Sequence, residues 1–258
     1  MKIRLIQPTQ LDENGSPTKY SKLFMPFTTL VTLAGLTPEG IDVAITDDYV
    51  EDVDFDEKQL DLVGVTSQTC QSSRAYEIAD EFRKRGVKTV MGGIHATACP
   101  EEASKHFDSI VVGEAEDIWS QVLKDASAGN LKRVYQCENK PDLSRLVVPR
   151  YDLINFANYV IPPFAKTPLI SIQTTRGCPF SCDFCSVTRF FGKGIRTKPV
   201  ANVLREIEAV KPSRIFFADD NIIADTGHAR ELFKAVTPLR IRWCCQMSTT
   251  VLKHPELI

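Results

Sequence analysis

The sequence has no excess of either charge. Its 31 lysines and arginines meet 33 aspartates and glutamates, for a formal charge of −2. That balance lacks the electrostatic footprint of a nucleic-acid or anionic-membrane binder, so no nucleic-acid partner is expected. Long apolar runs are missing as well, and no stretch approaches the ~20 residues of a membrane span. The opening residues, MKIRLIQPTQLDE, lack the apolar core of a secretion signal. Together these absences predict a cytoplasmic protein without a membrane span. Neither G-x-G-x-x-G at the first helix nor G-x-x-x-x-G-K-[ST] anywhere is found, which excludes the common nucleotide-binding fingerprints. What is present is ordinary globular material, 43% apolar and 25% charged, with too much apolar surface for a disordered chain. At roughly 150 residues per domain, a chain of 258 residues makes one large domain or two small ones.

The first half alternates between two periods. Short strand patterns at residues 2–6, 42–46, 62–66, 88–91 and 109–112 are separated by helical stretches that include 28–36 and 73–85. Such alternation predicts a parallel sheet covered on both faces, a Rossmann-like (flavodoxin-type) α/β domain over residues 1–130. Within the second helix, Ile78, Ala79 and Phe82 form one stripe, and Gly86 ends it. Sheets of this kind bind ligands beyond the carboxyl ends of their strands. Ser67 and Thr69 follow the third strand, and Gly92 and Gly93 follow the fourth, where missing side chains let a ligand approach the backbone. His95 comes next, and Gly113 and Glu114 follow the fifth strand. Plain turn and capping roles are the competing reading of the glycines, Ser67, Thr69 and His95. Residues 131–168 hold Pro141, Pro149, Pro162, Pro163 and Pro168, a density that breaks regular elements and predicts a linker.

Without a secretion signal, the eight cysteines read as metal ligands, nucleophiles or buried thiols rather than disulfides. Three of them, Cys178, Cys182 and Cys185, follow a strand pattern at 169–174 with the spacing C-x3-C-x2-C. Gly177 and Pro179 shape that loop. Clustered thiolates suit an iron–sulfur cluster or zinc, and three ligands rather than four leave a coordination position open. His228, Cys244 and Cys245 are candidates for a fourth, but none has a pairing spacing. Downstream, a helix at 199–210, a strand at 214–218, a helix at 227–236 and a strand at 240–247 continue the α/β alternation. Cys244 and Cys245 alternate across the last strand, so at least one is expected in the core.

The run R-G-C-P-F-S-C-D-F-C, with aromatic Phe184 before the third cysteine, resembles the cluster loop of radical S-adenosylmethionine (SAM) enzymes. The first half adds V-x-G-G-x-H-x-T at residues 90–97, Pro100-Glu101-Glu102, and V-V-G-E-A-E at 111–116. With these, nearly the whole chain resembles the cobalamin-binding radical SAM enzymes. The resemblance implies a cobalamin-binding-like domain followed, over 169–258, by the first half of a partial (β/α)6 barrel. It implies a [4Fe–4S] cluster on Cys178, Cys182 and Cys185, and SAM contacts at Phe184, Asp219, Asp220, Asn221, Gln246 and Ser248. It also implies cobalamin contacts at Ser67, Thr69, Gly92, Gly93, His95, Gly113 and Glu114. Two departures stand out. Asp219-Asp220-Asn221 replaces the family's Gly-Gly-Glu, and no D-x-H-x-x-G supplies a lower cobalt ligand.

The implied chemistry is reductive cleavage of SAM to a 5′-deoxyadenosyl radical, then cobalamin-dependent methylation of an unactivated carbon. Radical cyclisation or rearrangement with the same cofactors is an alternative, as is a barrel whose first domain no longer binds cobalamin. A methylthiotransferase would need three more cluster cysteines; Cys70, Cys99 and Cys137 match in number but not in context. A non-enzymatic iron–sulfur module would cleave no SAM. The expected partners are a small-molecule substrate, a lipid or tetrapyrrole among them, and an electron donor such as flavodoxin or ferredoxin. Only three of about six barrel units are present, so a truncated barrel or one completed by another chain is expected.

Overall fold

The computed structural model describes residues 1–137, 139–145, 147–160 and 167–257. Its contacts divide the chain into two compact units. One comprises Met1–Leu23, Thr29–Pro141 and Pro149–Ile154; the other comprises Phe24–Thr28, Asp142–Val148 and the described residues of Asn155–Ile258.

The first unit runs β1 (Lys2–Gln7), α1 (Thr28–Leu36), β2 (Asp42–Asp47), β3 (Leu62–Thr66) and α2 (Ser72–Lys84). It continues with β4 (Lys88–Gly92), α3 (Gly93–Ala98), α4 (Pro100–Ala103), β5 (Ser109–Val112), α5 (Trp119–Ser127) and β6 (Val134–Gln136). All six strands pair in parallel, in the order β2-β1-β3-β4-β5-β6. Strands buried on both faces read as continuous apolar runs, and β3 (LVGVT) is buried over its first four residues. One face packs Ile6, Val63, Val65, Met91 and Ile110 against Ile78, Ala79 and Phe82 of α2. The other packs Ile3, Leu5, Leu62, Val90 and Val111 against Leu30 and Ala34 of α1 and Trp119, Val122 and Leu123 of α5. The flavodoxin-type architecture expected from the alternation is therefore the one observed. α2 ends as its stripe requires: Gly86 takes φ +79, and its N–H donates to the Arg83 carbonyl at 2.9 Å.

The expected linker is not all connector. Residues 134–136 add the sixth strand, which pairs with β5 from Ile110↔Val134 to Val112↔Gln136. Only Tyr135 of the three is buried, because an edge strand needs one inward residue and leaves the others to solvent. Its prolines 162 and 163 lie outside the described residues.

The second unit runs β7 (Ile170–Ile172), β8 (Thr175–Arg176), α6 (Val187–Phe190), β9 (Arg196–Thr197), α7 (Val200–Val210), β10 (Arg214–Phe217), α8 (Thr226–Val236) and β11 (Arg242–Cys245). β7, β10 and β11 form a parallel sheet in the order β11-β10-β7, while β8 and β9 form a separate antiparallel pair. The strand expected at 169–174 is thus cut short at Ile172. The reason is Asp219 at the end of β10, which captures the backbone N–H groups of Thr174 at 2.7 Å and Thr175 at 2.5 Å. Those groups are then lost to strand pairing, and the chain turns into the cysteine loop. The strand expected at 240–247 is likewise shorter, because Arg240 ends the preceding turn with φ +53. Neither Cys244 nor Cys245 is in the core: β11 is an edge strand here, Cys244 is exposed, and Cys245 is half-buried.

Candidate functional site

In the first unit, the expected residues gather at the carboxyl ends of β3, β4 and β5. Ser67 is buried, and its hydroxyl donates to the Gln68 carbonyl at 2.7 Å. Thr69 opens a single 3-10 turn and is exposed. The two glycines differ. Gly93 has φ +91, and a Cβ there would meet Thr66 Oγ1 at 2.8 Å and the Ser67 backbone at 3.0 Å. The chain's own turn therefore requires this glycine. Gly92 has ordinary extended backbone, and its nearest neighbour would be Val111 at 3.9 Å, so space does remain beside it. Gly93→Ala should therefore cost about 1–3 kcal/mol of stability, whereas Gly92→Ala should stay within about 0.5 kcal/mol. Chemical denaturation of the first unit checks both.

Thr97 joins the two turns, a role that spacing alone did not reveal. Its hydroxyl donates to the Gly93 carbonyl at 2.9 Å and accepts the Gly113 N–H at 2.9 Å. Gly113 has φ +87 and open space where a side chain would stand. Glu114 is buried, with Lys140 Nζ at 3.5 Å. His95 is buried rather than open to a ligand. Its Nε2 lies 2.7 Å from the Tyr76 hydroxyl, its Nδ1 3.4 Å from Thr69 Oγ1, and its N–H donates to the Ser67 carbonyl at 3.0 Å. Both ring nitrogens thus meet protein atoms in this structure.

In the second unit, β8 and β9 close the neck of the cysteine loop through Thr175↔Thr197 and Arg176↔Arg196. A bridge between Cys178 and Lys193 extends that neck. At its narrowest point Gly177 has φ +90, and a Cβ would lie 2.5 Å from the Gly194 carbonyl oxygen. Cys178 and Cys185 are half-buried and Cys182 is exposed, with the Cys185 N–H donating to the Cys182 carbonyl at 3.0 Å. Phe184 is 92% exposed, so its ring stands clear of the described residues. Beneath the neck a buried ion pair joins Lys198 Nζ to Glu206 at 2.8 Å, while the Lys198 N–H donates to the Thr174 carbonyl at 2.7 Å. A lysine and a glutamate eight residues apart carry no motif, and sequence reasoning missed the pair.

The three residues after β10 take different parts. Asp219 is 1% exposed, and its second oxygen accepts the Thr174 hydroxyl at 2.6 Å. With both oxygens committed to residues 174 and 175, it holds the loop in place. Burial raises its carboxyl above the ordinary range despite those hydrogen bonds. Asn221 bridges to the end of β11: its Oδ1 accepts the Ser248 N–H at 3.0 Å and its Nδ2 donates to Ser248 Oγ at 3.3 Å. Gln246 is exposed, and its carbonyl accepts the Ile222 N–H at 3.1 Å.

Asp220 is the unresolved group. Its Oδ2 is buried without a hydrogen-bond partner. Burial first, and then the neighbouring Asp219 carboxylate, push its pKa upward, while a hydrogen bond from the Gly177 backbone opposes them. A lone buried carboxylate oxygen costs stability unless a donor or cation meets it. It sits against the residue that precedes Cys178, so the donor set fits both groups the cysteine motif implies: thiolates for iron, and an acceptor for an ammonium group.

A parallel α/β sheet and, in the other unit, a three-cysteine loop at the head of a parallel β/α sheet are the arrangement that the resemblance to cobalamin-binding radical SAM enzymes implies. Residues 25–123 match the B12 binding domain family. The chain is 39% identical over 182 residues, 70% of its length, to the bacteriochlorophyllide d C-8(2)-methyltransferase of Chlorobaculum tepidum. It is 32% identical over 237 residues, 88% of its length, to the bacteriochlorophyllide d C-12(1)-methyltransferase of the same organism. These matches span 40% and 51% of the two relatives, so the chain covers about half their length or less. Among solved structures, the cobalamin-dependent SAM radical enzyme OxsB, with aqua-cobalamin and SAM bound, superposes with a TM-score of 0.72 at 16% identity. That match covers 94% of this chain and 38% of OxsB. The chain carries a B12 binding domain over residues 25–123 and is similar over most of its length to these methyltransferases. No helix among its described residues is long and apolar enough to cross a membrane.

Proposed function

We propose that the chain is the cofactor-binding part of a cobalamin-dependent radical SAM C-methyltransferase. The observation that carries this reading is the unpartnered buried Oδ2 of Asp220 beside the three-cysteine loop. Cys178, Cys182 and Cys185 would hold a [4Fe–4S] cluster, and the carboxylate of Asp220 would receive the amino group of SAM. Asn221, Gln246 and Ser248, which follow β10 and β11, and Phe184 in the cysteine loop would bound the SAM site. Ser67, Thr69, Gly92, Gly113 and Glu114 would bound the cobalamin site. When bound, the cluster would supply the electron that cleaves SAM to methionine and a 5′-deoxyadenosyl radical, and cobalamin would supply the methyl group transferred to carbon.

The chain's own contribution is positional. Asp219 fixes the start of the cysteine loop, Gly177 allows its neck to close, and Asn221 ties the ends of β10 and β11. The relatives named for bacteriochlorophyllide methylation support a tetrapyrrole-like small molecule as substrate. Electron delivery by a flavodoxin or ferredoxin and a cytoplasmic setting complete the reading.

The test is reductive SAM cleavage by the anaerobically purified protein, read as 5′-deoxyadenosine. Asp220→Asn should retain iron yet lower SAM affinity at least about tenfold, the loss of one charge-assisted contact. Unchanged affinity would refute the assignment. For the first unit, Gly92→Phe should keep the fold and lose cobalamin; full cobalt retention would remove Gly92 from the site.

A further inference from the structure

A second group of ligand-type side chains lies in the first unit. His95 in α3, Cys99 and Glu102 in α4 bring an imidazole nitrogen, a thiol and a carboxylate oxygen within 4.8 Å of one another. His95 Nε2 and Glu102 Oε1 are already 3.8 Å apart. The spacing is helical, i, i+4 and i+7, which sets all three on one side of the α3–α4 segment. Cys99 stands at the break between the helices with φ −131 and ψ 55, and Pro100 starts α4. The hinge turns its side chain toward the other two.

We propose that His95, Cys99 and Glu102 form a site for a zinc-type divalent cation. Borderline-soft cations take mixed imidazole, thiolate and carboxylate sets, and bonds of about 2.0–2.3 Å put tetrahedral ligands about 3.3–3.8 Å apart. One pair already meets that spacing. Glu102 is 54% exposed at its side chain, so it can close the remaining gap by rotation. Nε2 is the nitrogen that faces Glu102, and Nδ1 lies 3.4 Å from Thr69 Oγ1, an outer partner of the kind that fixes a ligating imidazole's tautomer. The Tyr76 hydroxyl lies 2.7 Å from Nε2 and donates to Glu102 Oε1 at 3.0 Å, so an ion would take the place of these two hydrogen bonds. On binding, the Cys99 thiol gives its proton to solvent and a sulfur–metal bond forms, with no redox change.

The ion would brace α3 against α4. Through His95, whose N–H meets the Ser67 carbonyl, it would also brace the turns after β3 and β4. This proposal stands apart from the cobalamin reading, and its test does not need either cofactor.

The full chain with Cys178, Cys182 and Cys185 each changed to serine, so that the cluster loop offers no thiol, is titrated with cobalt(II) and then zinc. One equivalent of cobalt should give tetrahedral visible bands and a sulfur-to-cobalt charge-transfer band, both displaced by zinc. Cys99→Ala should abolish the charge-transfer band and weaken zinc binding at least about tenfold, and Glu102→Gln should weaken it by a smaller factor. Cys99 and Glu102 are not in the core, so circular dichroism should confirm that both variants fold. No binding by the parent, or zinc affinity unchanged by Cys99→Ala, would overturn the site. A charge-transfer band lost only on changing Cys70 or Cys137 would overturn it as well.

Discussion

Cys182→Ala should strip the protein of its iron. In the anaerobically purified or reconstituted chain, iron should fall from about four atoms per chain to under about one, and the cluster's visible absorption should go with it. The effect is large because the loop offers only three thiolates, and a cluster left with two of them is lost rather than weakened. Cys182 is exposed, so removing its sulfur opens no cavity, and the far-ultraviolet circular dichroism should not change. Phe184→Ala is the companion. Its ring is 92% exposed, so iron content and stability should hold, while SAM affinity should fall if the ring bounds the nucleoside. Iron retained in Cys182→Ala would remove this cysteine from the cluster and with it the radical SAM assignment.

Much of this was legible because it is local. The strands of the first sheet announce themselves as apolar runs, since a parallel strand covered on both faces has no polar side to show. The stripe of Ile78, Ala79 and Phe82 fixed α2, and C-x3-C-x2-C marked the loop. The parts that escaped depend on partners far away in sequence. β6 carries one buried residue in three, too few for a pattern. The break in the strand after Ile172 is imposed by Asp219 from 45 residues downstream. Gly92 and Gly93 look alike on the page, and only the neighbouring Thr66 and Ser67 atoms separate a required glycine from a permitted one. Cys244 and Cys245 were expected to place one thiol in the core, but alternation says which faces a strand has, not whether either is covered.

That long-range dependence makes Asp219 the most sensitive position in the second unit. Asp219→Ala would leave two backbone N–H groups and the Thr174 hydroxyl buried without their acceptor. The expected loss is roughly 3–4 kcal/mol, with hydrogen exchange at the Thr174 and Thr175 amides accelerated well beyond that of β3. Asp219→Asn separates shape from charge. Its carbonyl can keep both N–H donors, and its amide can donate to Thr174 Oγ1, so most of the stability should survive.

The two variants also differ with pH. Burial raises the Asp219 pKa above its unfolded value, so the folded state holds a proton that the unfolded chain releases. The resulting stability is fully present below the ordinary carboxylate pKa of about 3.9. It is lost as pH rises through the folded value. The wild-type advantage over Asp219→Asn should therefore be greatest at acid pH and shrink as pH rises. A gap that widened with rising pH would mean that the three hydrogen bonds outweigh burial, and that Asp219 holds the cysteine loop as a fully ionised carboxylate.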